Sequence, residues 1–337
     1  MSEITTMGID LAKHVFSLHG VDAAGRVVLR KTVRRNELEG VLATLPACLI
    51  GMEACSGAHE WARRFARYGH RIKLMAPKFV APYRTGGKND GNDAAAICEA
   101  ASRLQVRAIP VKSAEQQAVL CLHRARQGFV EERTATINRI RGLLAEFGIV
   151  LAQRSQTVRT QLEAAIEGLP VLARQVLRDL RAHLRLVDER IAGYERQLER
   201  LAGKDERCQR LMQLRGVGPI TALAIVATVG NASDFKNGRQ FAAWLGLVPR
   251  QHSTGGKTRL GRITRRGDAY LRTLLVMGAR SVLNTAHRHN DRMARFAAAI
   301  QSRRGYFKAL VAVAAKHARI VWAMLAKNQS LNAAAMS

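Results

Sequence analysis

Two aspartates stand three residues apart, Asp90 and Asp93 in the stretch TGGKNDGNDAAAI, in a chain whose formal net charge is +28. At helical spacing, side chains at i and i+3 share a face, so both carboxylates point the same way. The ordinary use of such a pair is at a helix start, where Asp caps free N–H groups and complements the dipole. Two more acids fall at the ends of predicted strands, Asp10 in MGIDLAKH and Glu53 in IGMEACSG. Glu60 competes with Glu53 for a place in the set, but it belongs to the following helix rather than to a strand end. Four carboxylates converging on one edge repel strongly unless divalent cations bridge them. Magnesium, or manganese in its place, is the hard cation that such oxygens suit. Two such ions can stabilise both the attacking and the leaving oxygen of a phosphodiester.

A second unusual stretch runs from Gly246 to Arg272, GLVPRQHSTGGKTRLGRITRRGDAYLR. It interleaves glycines with Arg250, Lys257, Arg259, Arg262, Arg265, Arg266 and Arg272 against one acid, Asp268. Glycine lets backbone approach a ligand closely, and guanidinium groups match phosphate oxygens bidentately. Ser253 and Thr254 sit among these cations. A Ser-Thr-Gly-Gly sequence is by itself a turn signal. Among so many positive charges, either hydroxyl could instead attack phosphorus, with the developing charge stabilised. Upstream, LRGVGPITALAIVATVG places Gly216, Val217 and Gly218 between two helices, with Pro219 at a favoured first helical position. This turn resembles a helix-hairpin-helix, whose N–H groups at a helix start can hold a phosphate.

The elements that position these residues change character along the chain. ITTMGID reads as a strand ending at Asp10. HVFSLHGVD and RVVLRKTVR flank AAG as a hairpin. RNELEGVLATL is a helix with Asn36 as its cap. CLIGMEACSG is a buried strand running out at Glu53, followed by a helix from about His59 and the strand RIKLMAP. Strand, hairpin, helix, strand, helix is the order of a ribonuclease-H-like α/β sheet. From about Ala114 the pattern turns helical. Leu177, Leu180, Leu184, Val187, Ile191, Tyr194, Leu198 and Leu201 recur at alternating gaps of three and four, a heptad seam. The seam serves either a hairpin within one chain or a coiled coil between chains. The fold class is therefore α/β plus all-α, divided at 1–113, 114–205 and 206–327, with a flexible tail at 328–337.

At 337 residues the chain is long enough for more than one core. Lys and Arg total 54 against 26 acids, and the pI is near 11.2. A compact fold with that excess repels itself unless a polyanion neutralises it, which makes nucleic acid the leading partner. A membrane is not expected, because Lys316, His317 and Arg319 break the late apolar stretch ALVAVAAKHARIVWAML, and MSEITTMGID lacks the layout of a signal peptide. The five scattered cysteines include no CxxC pair, which argues for a reducing cytoplasm and against structural zinc. His287 and His289 read as surface residues.

Together these stretches resemble the DEDD transposases of bacterial insertion sequences, the group typified by insertion sequences 110 and 1111. GIDLAKH, GMEACSG and KNDGNDAAAI resemble that family's RuvC-like domain. LRGVGPITALAIVATVG and AAWLGLVPRQHSTGGKTRLGRITRRGDAYLRTLL resemble its C-terminal transposase domain. The resemblance implies that Asp10, Glu53, Asp90 and Asp93 are a metal-binding tetrad. It implies that Ser253 is the nucleophile, forming a phosphoserine link to a cut strand. Family members carry serine at one or both of the two positions, and the extra methyl of Thr254 hinders in-line attack. It further implies donor and target DNA as partners, a non-coding bridge RNA that pairs with both, and a homo-oligomer, dimeric or tetrameric when strands are exchanged. On this reading 1–113 is the RuvC-like catalytic domain, 114–205 a coiled-coil assembly segment and 206–327 the serine domain of a cytoplasmic bacterial enzyme. The competing expectations are a Holliday-junction resolvase using metal-activated water, and a non-catalytic basic scaffold.

Overall fold

The computed structural model of the chain describes residues 3–87 and 89–331. Contacts divide it into two compact units, 1–115 and 116–337, and do not separate 114–205 from 206–327. In the first unit β1 (Thr6–Leu11), β2 (Val15–Val21) and β3 (Val27–Arg34) form an antiparallel meander. The Asp22 carboxylate closes its turn, accepting the backbone N–H of Ala24 and of Arg26, both at 2.9 Å. Helix α1 (Leu38–Ala43) follows Glu37 and has no side-chain cap, so Asn36 does not play the capping role expected of it. The chain is still turning at Asn36, and the Glu37 carboxylate reaches back to the Arg34 N–H at 3.2 Å.

Next come β4 (Leu49–Glu53), α2 (Ala58–Ala66), β5 (Arg71–Met75), the single-turn α3 (Pro77–Val80), α4 (Asp90–Ser102) and β6 (Ala108–Ile109). The strand order is β3-β2-β1-β4-β5-β6, with β1, β4 and β5 parallel. The central strands are covered on both faces, as their nearly continuous apolar sequence requires. One face packs Phe16 against Trp61 and Phe65 of α2, alongside Leu38 and Leu42 of α1. The other is covered by α4, and two glycines set how closely. A Cβ on Gly8 would stand 2.2 Å from the Ala94 carbonyl oxygen, and one on Gly51 would stand 2.6 Å from the Ala101 Cβ. Only glycine permits that approach.

The second unit holds the long helices. In α5 (Ala114–Ala145), α6 (Ser155–Ile166) and α7 (Val171–Lys204), cross-contacts run in antiparallel order. Arg126 pairs with Glu195 at 2.6 Å, Phe129 stacks on Tyr194 at 5.8 Å, and Arg133 meets Asp188 at 3.7 Å. Leu177 and Leu184 pack with Ile137, Ile140 and Leu144 of α5 and with Val158, Leu162 and Ile166 of α6. Of the two uses open to the heptad seam, the hairpin within one chain is what these contacts build. Leu184 and Ile191 are only 2% and 3% exposed.

The chain continues through α8 (Glu206–Met212), α9 (Pro219–Val229), α10 (Gly238–Trp244), β7 (Pro249–Gln251), β8 (Leu260–Ile263), α11 (Ala269–Thr285), α12 (Arg292–Arg304) and α13 (Tyr306–Ala326). The small β7–β8 hairpin interrupts a region expected to be helical. Contrary to the sequence reading, α13 is long and apolar enough to cross a membrane by length and composition. Its apolar stripe of Leu310, Val313, Ala314, Val321 and Met324 is buried in the core that α10, α11 and α12 share. Lys316 interrupts the apolar sequence but not the helix, and its ammonium lies over the Phe296 ring at 4.0 Å. At the C-terminus Asn328–Gln329–Ser330 is exposed and Leu331 N–H donates to Gln213 Oε1 at 3.0 Å. The rest of the expected tail, residues 332–337, lies outside the described residues.

Two histidines in this unit are buried, His123 against the Tyr270 hydroxyl at 3.1 Å and His317 with no exposure at all. Burial pushes both imidazoles down to about 4, with Arg126 adding to the effect on His123 and Arg215 and Lys316 adding to that on His317. An unfolded histidine titrates near 6.5, so between that pH and about 4 the unfolded chain binds protons that the native chain refuses. Stability must therefore fall as pH drops through this window, by roughly 3 kcal/mol per histidine at most. Urea unfolding at pH 7.5 and pH 5 is expected to show that loss, and His317→Leu to remove about half of it. An unchanged pH dependence in the variant would mean that His317 does not carry the effect.

Candidate active site

The register brings two of the predicted acids together. β1 and β4 pair in parallel up to Ile9 and Met52, so Asp10 and Glu53 are the next residues on adjacent strands. Both are half-buried. The Cys55 thiol, just past the end of β4, is held above its ordinary value by desolvation first, then by the carboxylates of Glu53 and Asp10. One thiol thus senses both acids.

Helix α4 carries the other pair to the same end of the sheet. Ala94 and Cys98 sit over Gly8 of β1, Ile97 and Ala101 over Gly51 of β4, and the Cys98 thiol reaches the Thr6 carbonyl. The helix therefore runs against the strands, and its first turn lies towards their C-terminal ends. Asp90 continues the Ala94, Ile97, Ala101 stripe one turn earlier. Asn89 caps the helix, its side chain accepting the Asn92 N–H at 2.8 Å, so neither aspartate is used as the cap. Lys88, within the motif, lies outside the described residues. Asp90 is exposed, while Asp93 is largely buried and forms an ion pair with Arg84. Among the described residues, no three His, Cys, Asp or Glu side chains come close enough together to share one cation. The sheet edge brings Asp10 and Glu53 side by side, and Asp93 pairs with Arg84.

Ser253 is presented differently. Gly255 and Gly256 both have positive φ, +56° and +76°, between Thr254 and Lys257, which form an isolated bridge. Two consecutive positive φ values define the tight hairpin turn that glycine pairs favour. Ser253 is therefore next to the tip of the β7–β8 hairpin, exposed, and its Oγ accepts a hydrogen bond from Gln251 Nε2 at 2.9 Å. Arg250, Lys257, Arg259, Arg262, Arg265 and Arg266 are all exposed around it, and none has a carboxylate partner among the described residues. The base of the hairpin is held tightly. A Cβ on Gly267 would stand 1.9 Å from the Trp244 carbonyl oxygen. Arg265 itself takes a left-handed φ of +53° there, which costs roughly 1–3 kcal/mol and is sustained by the surrounding contacts.

The Gly216–Gly218 turn joins α8 to α9 as expected. Gly216 has φ +91° and packs on α11, where a Cβ would stand 2.6 Å from the Gly278 carbonyl oxygen. Gly218 is exposed at the N-terminus of α9, no side chain caps that end, and Pro219 is its first residue. Sequence reasoning did not find Arg84 or Gln251. No spacing rule links a loop arginine to an acid on the next helix, and a Gln two residues before a Ser carries no signal of its own.

An enzyme that handles a phosphodiester is the class these features define, with acids at a sheet edge and a hydroxyl set among uncompensated cations. Residues 7–149 match a family model described as Transposase, and residues 208–297 match one described as Transposase IS116/IS110/IS902 family. The chain is 47% identical over 329 residues to a probable family 20 transposase of Pseudomonas aeruginosa, covering 96% of this chain and 97% of the relative. It is 41% identical to the transposase for insertion sequence element IS1111A of Coxiella burnetii, covering 98% of this chain and 92% of the relative. With the transposase for element IS1328 of Yersinia enterocolitica it shares 38% identity, over 96% of this chain and 97% of the relative. The chain belongs to the IS116/IS110/IS902 family of insertion-sequence transposases and is a DNA transposase.

Proposed function

We propose that the chain cuts and rejoins DNA through Ser253, with a divalent cation held by Asp10, Glu53, Asp90 and Asp93, in the manner of the 1111-like subgroup. The observation that carries this reading is the meeting of Asp10 and Glu53 at adjacent strand ends, with the first turn of α4 brought to the same end. The strand order, with a three-stranded meander leading into parallel strands, supports a ribonuclease-H-like catalytic domain. Carboxylate oxygens are the donor set a hard cation such as magnesium prefers. When bound, such an ion neutralises charge on the reacting phosphate. In the exchange, one P–O bond forms to Ser253 Oγ and the P–O bond to the leaving sugar oxygen breaks. The serine loses a proton and the leaving hydroxyl gains one, so the phosphodiester's energy is kept for rejoining. The exposed cations of residues 250–266 and the α9 N-terminus at Gly216–Gly218 hold phosphates. A bridge RNA supplies the base pairing, and two or four copies hold the ends. The reaction belongs in the bacterial cytoplasm.

The test is strand exchange with the purified full chain. A DNA bearing the element ends, a target DNA and RNA transcribed from the element's flank should give joined product only with RNA and magnesium present, and none in EDTA. Equal product without RNA would remove the guide, and equal product in EDTA would remove the metal.

The Arg84–Asp93 pair gives a sharper check on the acids. A guanidinium beside Asp93 competes with any cation for that carboxylate. Arg84→Ala is expected to bind Mn2+ several-fold more tightly, read by electron paramagnetic resonance of free Mn2+ without DNA present. Unchanged binding would place the ion away from Asp93.

A further inference from the structure

Where the meander meets α2, the first unit has a cavity of about 670 Å³ lined by His14, Arg34, Arg35, Glu60, Trp61 and Arg64. In its wall is Trp61, only 5% exposed, stacked on Phe65 at 5.3 Å and set edge-on to Phe16 at 5.5 Å. Two guanidinium groups lie against this fixed ring, those of Arg35 and Arg64, each 5.3 Å from its centroid. They differ in what else they touch. Arg64 is neutralised by Glu60 at 3.0 Å and Glu39 at 3.3 Å. Arg35 instead lies against both the Trp61 and Phe16 rings and donates to the Lys13 carbonyl at 3.4 Å. Neither Arg34 nor Arg35 has a carboxylate partner among the described residues. An aromatic face holds a cation in place without cancelling its charge. The edge N–H groups stay available to an anion.

The cavity also has a defined place relative to the acids. Val15 pairs with Arg34 across β2 and β3, and Asp10 pairs with Ser17 across β1 and β2. Arg34 and Arg35 therefore leave the sheet at the same end as Asp10. Glu60 and Trp61 belong to the start of α2, which follows Glu53 after a short turn. The acids project on the face that α4 covers, while Trp61 lies under the opposite face.

We propose that this cavity is a second phosphodiester-binding site, in which Arg34 and Arg35 grip the backbone of a nucleic-acid strand leaving the carboxylate edge. The proposal rests on the reading that DNA is cut at that edge. It adds a grip beside α2 at the same end of the sheet, where family-like motifs in the sequence gave no sign of one.

The test uses the full chain and a fluorescein-labelled duplex, with affinity measured from 50 to 200 mM salt. Each phosphate contact contributes about 0.9 to the slope of log affinity against log salt. The double substitution Arg34→Gln/Arg35→Gln is therefore expected to lower the slope by roughly 2, with affinity down about tenfold or more at the low-salt end. Arg34→Lys/Arg35→Lys keeps both charges and should keep the slope. If the lysine pair loses as much as the glutamine pair, packing on Trp61 and not charge is responsible, and the proposal falls. It also falls if the glutamine pair binds like the parent chain while the parent keeps a steep salt dependence, an outcome that leaves the transposase reading intact. A parent chain that bound no duplex or RNA would sink that reading and the pocket together. Saturable thermal stabilisation by inorganic phosphate, lost in the glutamine pair, would reassign the cavity to a small anion.

Discussion

Asp10→Asn and Asp93→Asn are each expected to leave DNA binding near the parent level and to slow cleavage by at least about 10²-fold. The amide keeps the shape of the side chain and removes the charge that a cation needs. Asp10 sits on a central strand beside Glu53, so no neighbouring acid can take its place without moving the sheet. For Asp93 the change has a second effect, because Arg84 loses its counter-charge. Asparagine keeps an oxygen that can still accept from the Arg84 guanidinium, so the fold should persist while cleavage is lost, which far-UV circular dichroism checks. Asp90 is exposed at the first helical position and has more freedom to swing. Asp90→Asn is accordingly expected to lose activity that higher Mn2+ concentrations partly restore. Single-turnover cleavage of end-labelled DNA is the measurement. Parent rates in both Asp10→Asn and Asp93→Asn would remove the carboxylates from the chemistry.

How far the sequence carried depended on whether a signal was local. The meander was legible because alternating strands flank AAG, although Asp22, read as the end of the first flank, belongs to the turn and closes it. The strand end at Glu53 was legible because the apolar run stops there, whereas β1 continues one residue past Asp10 to Leu11, paired with Phe16. The Asn36 cap failed because several polar residues in a row offered the role, and the chain turns once more before the helix begins. The seam of α7 showed its own periodicity but not what fills it, since a heptad fits any complementary helix. The partners proved to be α6 and α5, the latter more than forty residues earlier in most of the pairs. β7 and β8 are short, exposed and rich in arginine, so no alternation of apolar residues announced them; only the glycine pair did. His317 looked like a break in an apolar helix and is instead wholly buried, because a neutral imidazole fits where Gly216 leaves room. The Arg84–Asp93 pair was invisible for a different reason. It joins the first turn of α4 to the loop that precedes it, and no residue pattern in either marks the pairing.

Ser253→Ala is expected to abolish a protein–DNA adduct that survives denaturation, with strand exchange down by at least about 10³-fold, since removing a nucleophile removes the step it opens. The hairpin makes this a clean substitution. Ser253 is exposed, its Oγ serves only as acceptor for Gln251, and the turn is held by backbone contacts between Thr254 and Lys257. Alanine should therefore leave the fold and the surrounding cations as they were, and nucleic-acid binding with them. Thr254→Ala keeps the same backbone bonds and should keep part of the activity. The informative substrate is a nicked duplex that stalls the reaction after the first bond exchange, because cleavage alone does not separate serine attack from hydrolysis. The adduct should then map by peptide mass to Ser253. Mapping to Thr254 would move the nucleophile by one residue. Cleavage without any adduct, unaffected by Ser253→Ala, would mean that water attacks at the carboxylate edge, as in a junction resolvase, and that the serine does no more than bind Gln251 near the hairpin tip.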